Sequence, residues 1–395
     1  TMSLLVGAAV GAWAGQRTRA SVLNRPKPAM IDWNQARRLA LSMNREASLA
    51  PAEKDQLQQV YCGVVERAVP LVAAYTGDDL PSALQHVFAF DRADWIEANI
   101  SSFAEMFEPL EALNPLAGDD SPHPIALVWG NVNQRMVSTE LGFLLGYLAR
   151  RVLGQYDLAL LGREPVSGGK LYFVQPNIEM VERGLSLPQD DFRLWLALHE
   201  VTHAFEFEAH PWLRQHVNGM LDEYFAFLKR DANQLRRGVD GARDLLGRVR
   251  QRDGAESWIE LIMTPAQREL FNRMQATMSV IEGYSNHVMN TVGRQLLPTY
   301  ETISRRFERR QQQRTPAEQL FARLTGLDIK MEQYRLGEAF INEVVAQRGH
   351  GFARLVWSGP EYLPSLSELR SPGAWIMRID ALQANANGME PRPAV

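Results

Sequence analysis

The sequence predicts an α+β chain that is predominantly helical, with a small sheet. Two observations carry this. Long stretches repeat apolar residues every three or four positions between charged ones, and only short aromatic runs have the length and composition of strands. The spacing predicts helices over residues 31–46, 52–75 and 81–113. Residues 139–155 (TELGFLLGYLARRVLGQ) are strongly apolar, which predicts a buried helix rather than a surface one. Residues 114–124 contain three prolines, a glycine and an Asp-Asp pair, and read as a loop. The clearest strand is 170–175 (KLYFVQ), entered from Ser167-Gly168-Gly169 and closed by Pro176, with 125–129 as a second candidate. Helical patterns resume at 191–209, 211–229, 264–292 and 299–313, where Pro211 suits the first turn of a helix. From Gly349 the chain is richer in Pro, Gly and Ser and reads as an irregular packed tail, with 381–395 disordered.

Composition narrows the function. The 395 residues suffice for one large domain or two ordinary ones, and 46% hydrophobic with 22% charged residues matches an ordinary globular protein. A formal charge of -4 gives no electrostatic footprint for nucleic acid. The single cysteine, Cys62, forms no internal disulfide and excludes a cysteine-based zinc site, so His, Asp and Glu remain as metal ligands. The apolar run at 2–15 (MSLLVGAAVGAWAG) is shorter than the roughly 20 residues a spanning helix needs. It reads as a small-residue helix packed on the domain, with a trimmed membrane or export segment as the alternative; the expected location is cytoplasmic.

The chemistry lies in DFRLWLALHEVTHAFEFEAHP, which contains His199-Glu200-Val201-Thr202-His203, an H-E-x-x-H. Residues four apart share one helix face, so both imidazoles can address a single ion. Glu200 sits about 100 degrees round, where its carboxylate can reach a water on that ion without replacing it. Zinc lowers the pKa of such a water to about 7, and the glutamate takes its proton. Phe192, Leu194, Trp195, Leu196 and Leu198 predict a buried helix, on which two His and a Glu are costly unless paired or bound to metal.

A third ligand is needed. Glu206 and Ala209 stand where the metzincin pattern requires Gly and His, so that form is excluded. His210 and His216 read as surface histidines. Two glutamates remain: Glu282, isolated among Met278, Val280, Ile281, Val288 and Met289, and Glu206, on the same face as the His pair. Near Glu282, Asn286 can hold a ligand or a water one turn on, and Tyr284 and His287 can donate hydrogen bonds to an oxyanion. KLYFVQ reads as an ordinary sheet strand, with pairing to an extended substrate as the alternative. Lys330 and Tyr334, four apart, read as a solvated polar face with a cleft role as the alternative.

Beyond these motifs the chain resembles a bacterial family of zincin-like metallopeptidases (type 2), also labelled hydrolases associated with deazaflavin coenzyme biosynthesis. The matching stretches include IDWNQARRLA, DRADWIEANISSF, ELGFLLGYLARRVLGQYD, LYFVQPNIEMVER, IEGYSNHVMN, GLDIKMEQYRLGEAF and VWSGPEYLPSLSEL, in order between residues 31 and 379. The resemblance implies a zincin-like domain with many extra helices and a site of His199, Glu200, His203 and Glu282. One departure is Asn290, where the family commonly has Asp, which removes a charged partner beside the site. The expected organisation is an apolar segment at 1–30, which lies outside the resemblance, a helical part at 31–160, a catalytic part at 161–380 packed with it as one unit, and the disordered tail at 381–395.

The expected activity is zinc-dependent hydrolysis of a peptide or a small-molecule amide or ester. The competing expectation is a helical scaffold with a structural or vestigial metal site, which a fourth protein ligand such as His287 would favour. Substrate and oligomeric state do not follow from the sequence.

Overall fold

A computed structural model of the chain describes residues 29–45, 48–78, 86–111, 124–156, 169–236, 264–312 and 327–388. The described elements run α1 (Trp33–Met43), α2 (Pro51–Thr76), β1 (His86–Phe90), α3 (Arg92–Glu111), α4 (Pro124–Leu148), β2 (Gly154–Tyr156) and β3 (Lys170–Val174). There follow α5 (Gln175–Gly184), α6 (Gln189–Glu208), α7 (Pro211–Arg236), α8 (Pro265–Leu296), α9 (Tyr300–Gln312) and α10 (Leu327–Arg348). The chain closes with α11 (His350–Ala353), two 3-10 turns (Arg354–Trp357 and Pro360–Tyr362), α12 (Leu366–Arg370) and α13 (Pro372–Gly388).

The sheet has order β1-β3-β2, with β1 parallel and β2 antiparallel to β3. Because β1 and β2 precede residue 160 and β3 follows it, the two expected parts of the chain share one sheet. Strand alternation sends Val87, Ala89, Tyr156, Leu171 and Phe173 to one buried face. There Tyr61 of α2 stacks on Phe173 at 4.4 Å. On the other face Tyr172 stacks with Phe88 and Phe90, and Trp95 of α3 donates to Gln155. A smaller apolar cluster, with Ala40, Trp95, Ile96, Leu145 and Val174, lies under α1, α3 and α4.

The main core surrounds α6, which packs against α2, α8 and β2. Fifteen of its twenty residues are buried, so the helix has no solvent face to which polar groups can turn. Its buried Arg193 is met by Glu182 of α5 at 2.8 Å. Helix α8 starts with a capping box, Thr264 and Gln267 each accepting the other's backbone N–H, and Pro265 fills the first turn. It then crosses α10 with backbone against backbone at Gly283 and Gly337. A Cβ on Gly337 would lie 1.7 Å from the Ser279 carbonyl oxygen, and one on Gly283 would lie 2.2 Å from the Gly337 carbonyl carbon.

Several expectations need correction. Residues 125–129 lie in α4, not in a strand. The helix expected over 81–113 gives way to β1 at 86–90, and the one expected over 139–155 ends at Leu148 before β2. Gln175 opens α5, a helix absent from the expected pattern. The irregular tail is mostly short helices, and 381–388 are helical as part of α13. Pro, Gly and Ser there act as punctuation: Ser365 and Glu368 form a capping box and Pro372 starts a helix. The apolar run at 2–15, the loop expected at 114–124 (as far as 123) and residues 389–395 lie outside the described residues. No helix among the described residues is long and apolar enough to cross a membrane.

Candidate metal centre

The four-residue spacing on α6 brings His199 Nε2 and His203 Nε2 to 3.2 Å of each other. Glu282, entering from α8, sets Oε2 3.7 Å from His199 Nε2 and 3.9 Å from His203 Nε2. Ligands on a tetrahedral ion at bond lengths of roughly 2.0–2.1 Å stand about 3.3 Å apart, so these atoms need close by only a few tenths of an ångström. They are the one group of three or more potential ligands converging in this way among the described residues. The donor set of two imidazoles and a carboxylate fits zinc, which in catalytic sites takes three protein ligands. Glu206, the other candidate ligand, is not in this group.

Glu206 instead holds His203 from behind. His203 Nδ1–H donates to Glu206 Oε2 at 2.8 Å, and the Ser285 hydroxyl donates to Glu206 Oε1 at 3.1 Å. That bond places the proton on Nδ1 and leaves the Nε2 lone pair facing Glu282 and His199. Burial disfavours a cation on His203, but the charge and hydrogen bond of Glu206, helped by Glu282 and Glu200, raise its pKa. Burial pushes Glu206 up. Burial, reinforced by His203, holds His199 well below the usual histidine range, and its Nδ1 is buried without a partner among the described residues. Replacing Glu206 by Gln is expected to weaken zinc affinity about 10–100-fold, measured by competition with a chromophoric chelator, while the fold is retained.

Glu200 lies against β2 rather than among the three atoms. Its Oε2 accepts the Tyr156 backbone N–H at 3.0 Å, and burial raises its pKa to about 7 despite the opposing pull of His203. A carboxyl group near neutral is suited to taking up and returning a proton.

Tyr284 and His287 do not join this face, which corrects the oxyanion expectation. At about 100 degrees per residue they leave α8 roughly 200 and 140 degrees round from Glu282. His287 Nδ1–H donates to Asn342 Oδ1 at 2.5 Å and its Nε2 accepts from the Tyr75 hydroxyl at 2.7 Å. The Tyr284 hydroxyl meets His350 Nε2 at 3.2 Å, and its ring stands edge-on to Trp357. Both belong to a network behind α8 that also takes in His210, stacked on Trp357 and 3.9 Å from Asp78. His216 stands against Trp212. Asn286 is half-buried, one turn from Glu282, and Asn290 donates to Glu338 of α10. Lys330 and Tyr334 fall on α10, with side chains outside what is described. KLYFVQ is an ordinary sheet strand, and the alternative of pairing with substrate is blocked, because β3 has a neighbour on each side.

Sequence reasoning missed Ser285 and the backbone of β2. Ser285 stands in the motif IEGYSNHVMN three residues after Glu282, so it shares that helix face. Nothing in β2 signals its role, since Tyr156 acts through its main chain.

A model of zincin-like metallopeptidases matches residues 31–376. A solved structure from Chloroflexus aurantiacus, described as "a putative hydrolase with a novel fold", is 43% identical, with a TM-score of 0.65 over 89% of this chain and 99% of that one. The curated proteins contain no match. A match running through both helices that carry the converging ligands, together with a shared fold at this identity, makes the chain a member of the zincin-like metallopeptidase family.

Proposed function

We propose that the chain is a zinc-dependent hydrolase of an amide bond, in a peptide or a small molecule. The observation that carries this reading is the convergence of His199, His203 and Glu282, the three protein ligands of a catalytic zinc site rather than the four of a structural one. When bound there, zinc supplies Lewis acidity that lowers the pKa of water to about 7 and polarises a carbonyl. Glu200 takes the proton of the attacking water and delivers it to the leaving nitrogen, and Tyr156 N–H holds its carboxylate meanwhile. Glu206 and Ser285 keep the His203 ring in the ligating orientation. Among the described residues β2 is the edge strand on the side of the sheet next to Glu200, and its outward Tyr156 N–H is engaged by that carboxylate.

The test is zinc content of purified protein by elemental analysis, for wild type beside His203→Ala and Glu282→Ala. About one zinc per wild-type chain is expected, with both variants depleted. A folded wild type that takes up no zinc after reconstitution would leave a helical scaffold as the better reading.

A further inference from the structure

The edge strand β2 meets α6 at three points. Near the start of the strand, Gly154 faces Glu200 so closely that an added Cβ would stand 2.7 Å from Glu200 Cγ and Oε1 and 2.9 Å from its Cδ. Two residues on, on the same face, the Tyr156 backbone N–H donates to Glu200 Oε2 at 3.0 Å. Two turns along α6, the Tyr156 hydroxyl donates to Glu208 and its ring stacks on Phe207 at 6.1 Å. The tyrosine is 4% exposed, and Gly169, just before β3, leaves the space for its ring. Glu200 itself is 5% exposed, so its carboxylate has little water to fall back on if this contact is lost.

We propose that Gly154 and Tyr156 are positioning residues for Glu200. Gly154 supplies the gap that lets the carboxylate lie flush on the strand, and Tyr156 supplies the amide that fixes it. The Glu208 and Phe207 contacts hold the strand in register so that this amide arrives opposite Glu200 rather than a residue away. A one-residue slip would turn the side chain of Gln155 toward α6 instead, because successive residues face opposite sides. The metal ligands take no part in this arrangement, so it separates the orientation of the base from the retention of the ion. As a statement about catalysis it rests on Glu200 being the base; as a statement about geometry it does not.

The test is amide hydrogen exchange at Tyr156 in the full-length protein, followed for wild type, Gly154→Ala, Glu200→Ala and the double variant, alongside zinc content and melting temperature. Exchange at Tyr156 is expected to quicken about tenfold or more in both single variants, with zinc still at about one per chain. The melting temperature is expected to fall less on adding Gly154→Ala in the Glu200→Ala background than in wild type, since the clashing carboxylate is gone. If Gly154→Ala alone does not fold, recovery of folding in the double variant carries the same meaning. Wild-type protection of Tyr156 in Gly154→Ala, or an equal penalty in both backgrounds, would overturn the proposal. With a cleavable substrate in hand, Gly154→Ala is expected to lower kcat with KM little changed, whereas absence of turnover in wild type would count against the hydrolase reading alone.

Discussion

Glu200→Gln is expected to keep about one zinc per chain and to lose hydrolysis by about 10²–10⁴-fold. The substitution preserves shape, and the amide oxygen of glutamine can still accept the Tyr156 N–H, so the local structure has no reason to rearrange. It removes only the capacity to gain and release a proton. Because His199, His203 and Glu282 are untouched, zinc uptake separates loss of the base from loss of the metal. The measurement is cleavage of a peptide library under single-turnover conditions, with elemental analysis of the same sample. A wild-type rate in Glu200→Gln would remove this residue from the chemistry even if zinc were bound. The effect on kcat and on kcat/KM should be equal, as expected for an interaction made only in the transition state.

Gly337→Ala is expected to destabilise the fold by about 3 kcal/mol, at or beyond the upper end of ordinary overpacking. The added carbon would meet the Ser279 carbonyl oxygen at 1.7 Å, and a backbone oxygen inside a helix has no rotamer through which to retreat. The helices must therefore separate, and Glu282 lies between Ser279 and Gly283 and their partners only in the sense that one short arc of α8 carries all three. Zinc affinity should fall together with the urea midpoint. Gly63→Ala, on α2 with nothing within 4 Å of the new carbon, is the matched control and should be neutral or mildly stabilising. An unchanged midpoint in Gly337→Ala would show that the crossing is looser than these distances allow.

The His pair was legible because its information is local: four residues on one helix set the geometry whatever surrounds it. Glu282 was legible for a different reason, an isolated carboxylate in an apolar run, which needs a partner. Tyr284 and His287 stand near Glu282 in sequence but not in space, because rotation along α8 takes them to its far side. The backbone amide of Tyr156 was beyond reach, since every residue but proline carries one and only the pairing of β2 with β3 aims it at α6. In the fold, the apolar run at 125–129 resembled a strand until its continuity with the rest of α4 set the period. Conversely β1, with its Val87 and Ala89 turned inward, was absorbed into a longer helical pattern because five residues are too few to establish an alternation against their neighbours.

Helix α8 thus bears two unrelated sets of contacts, Glu282 and Ser285 toward α6 and Tyr284 and His287 toward Tyr75, Asn342 and His350. Like a key cut on both edges, it works at only one angle. Inserting or deleting a single residue between Ser279 and Glu282 would turn everything after it by about 100 degrees and spoil both edges together. A length change anywhere from Ser279 to His287 therefore breaks at least one of the two sets.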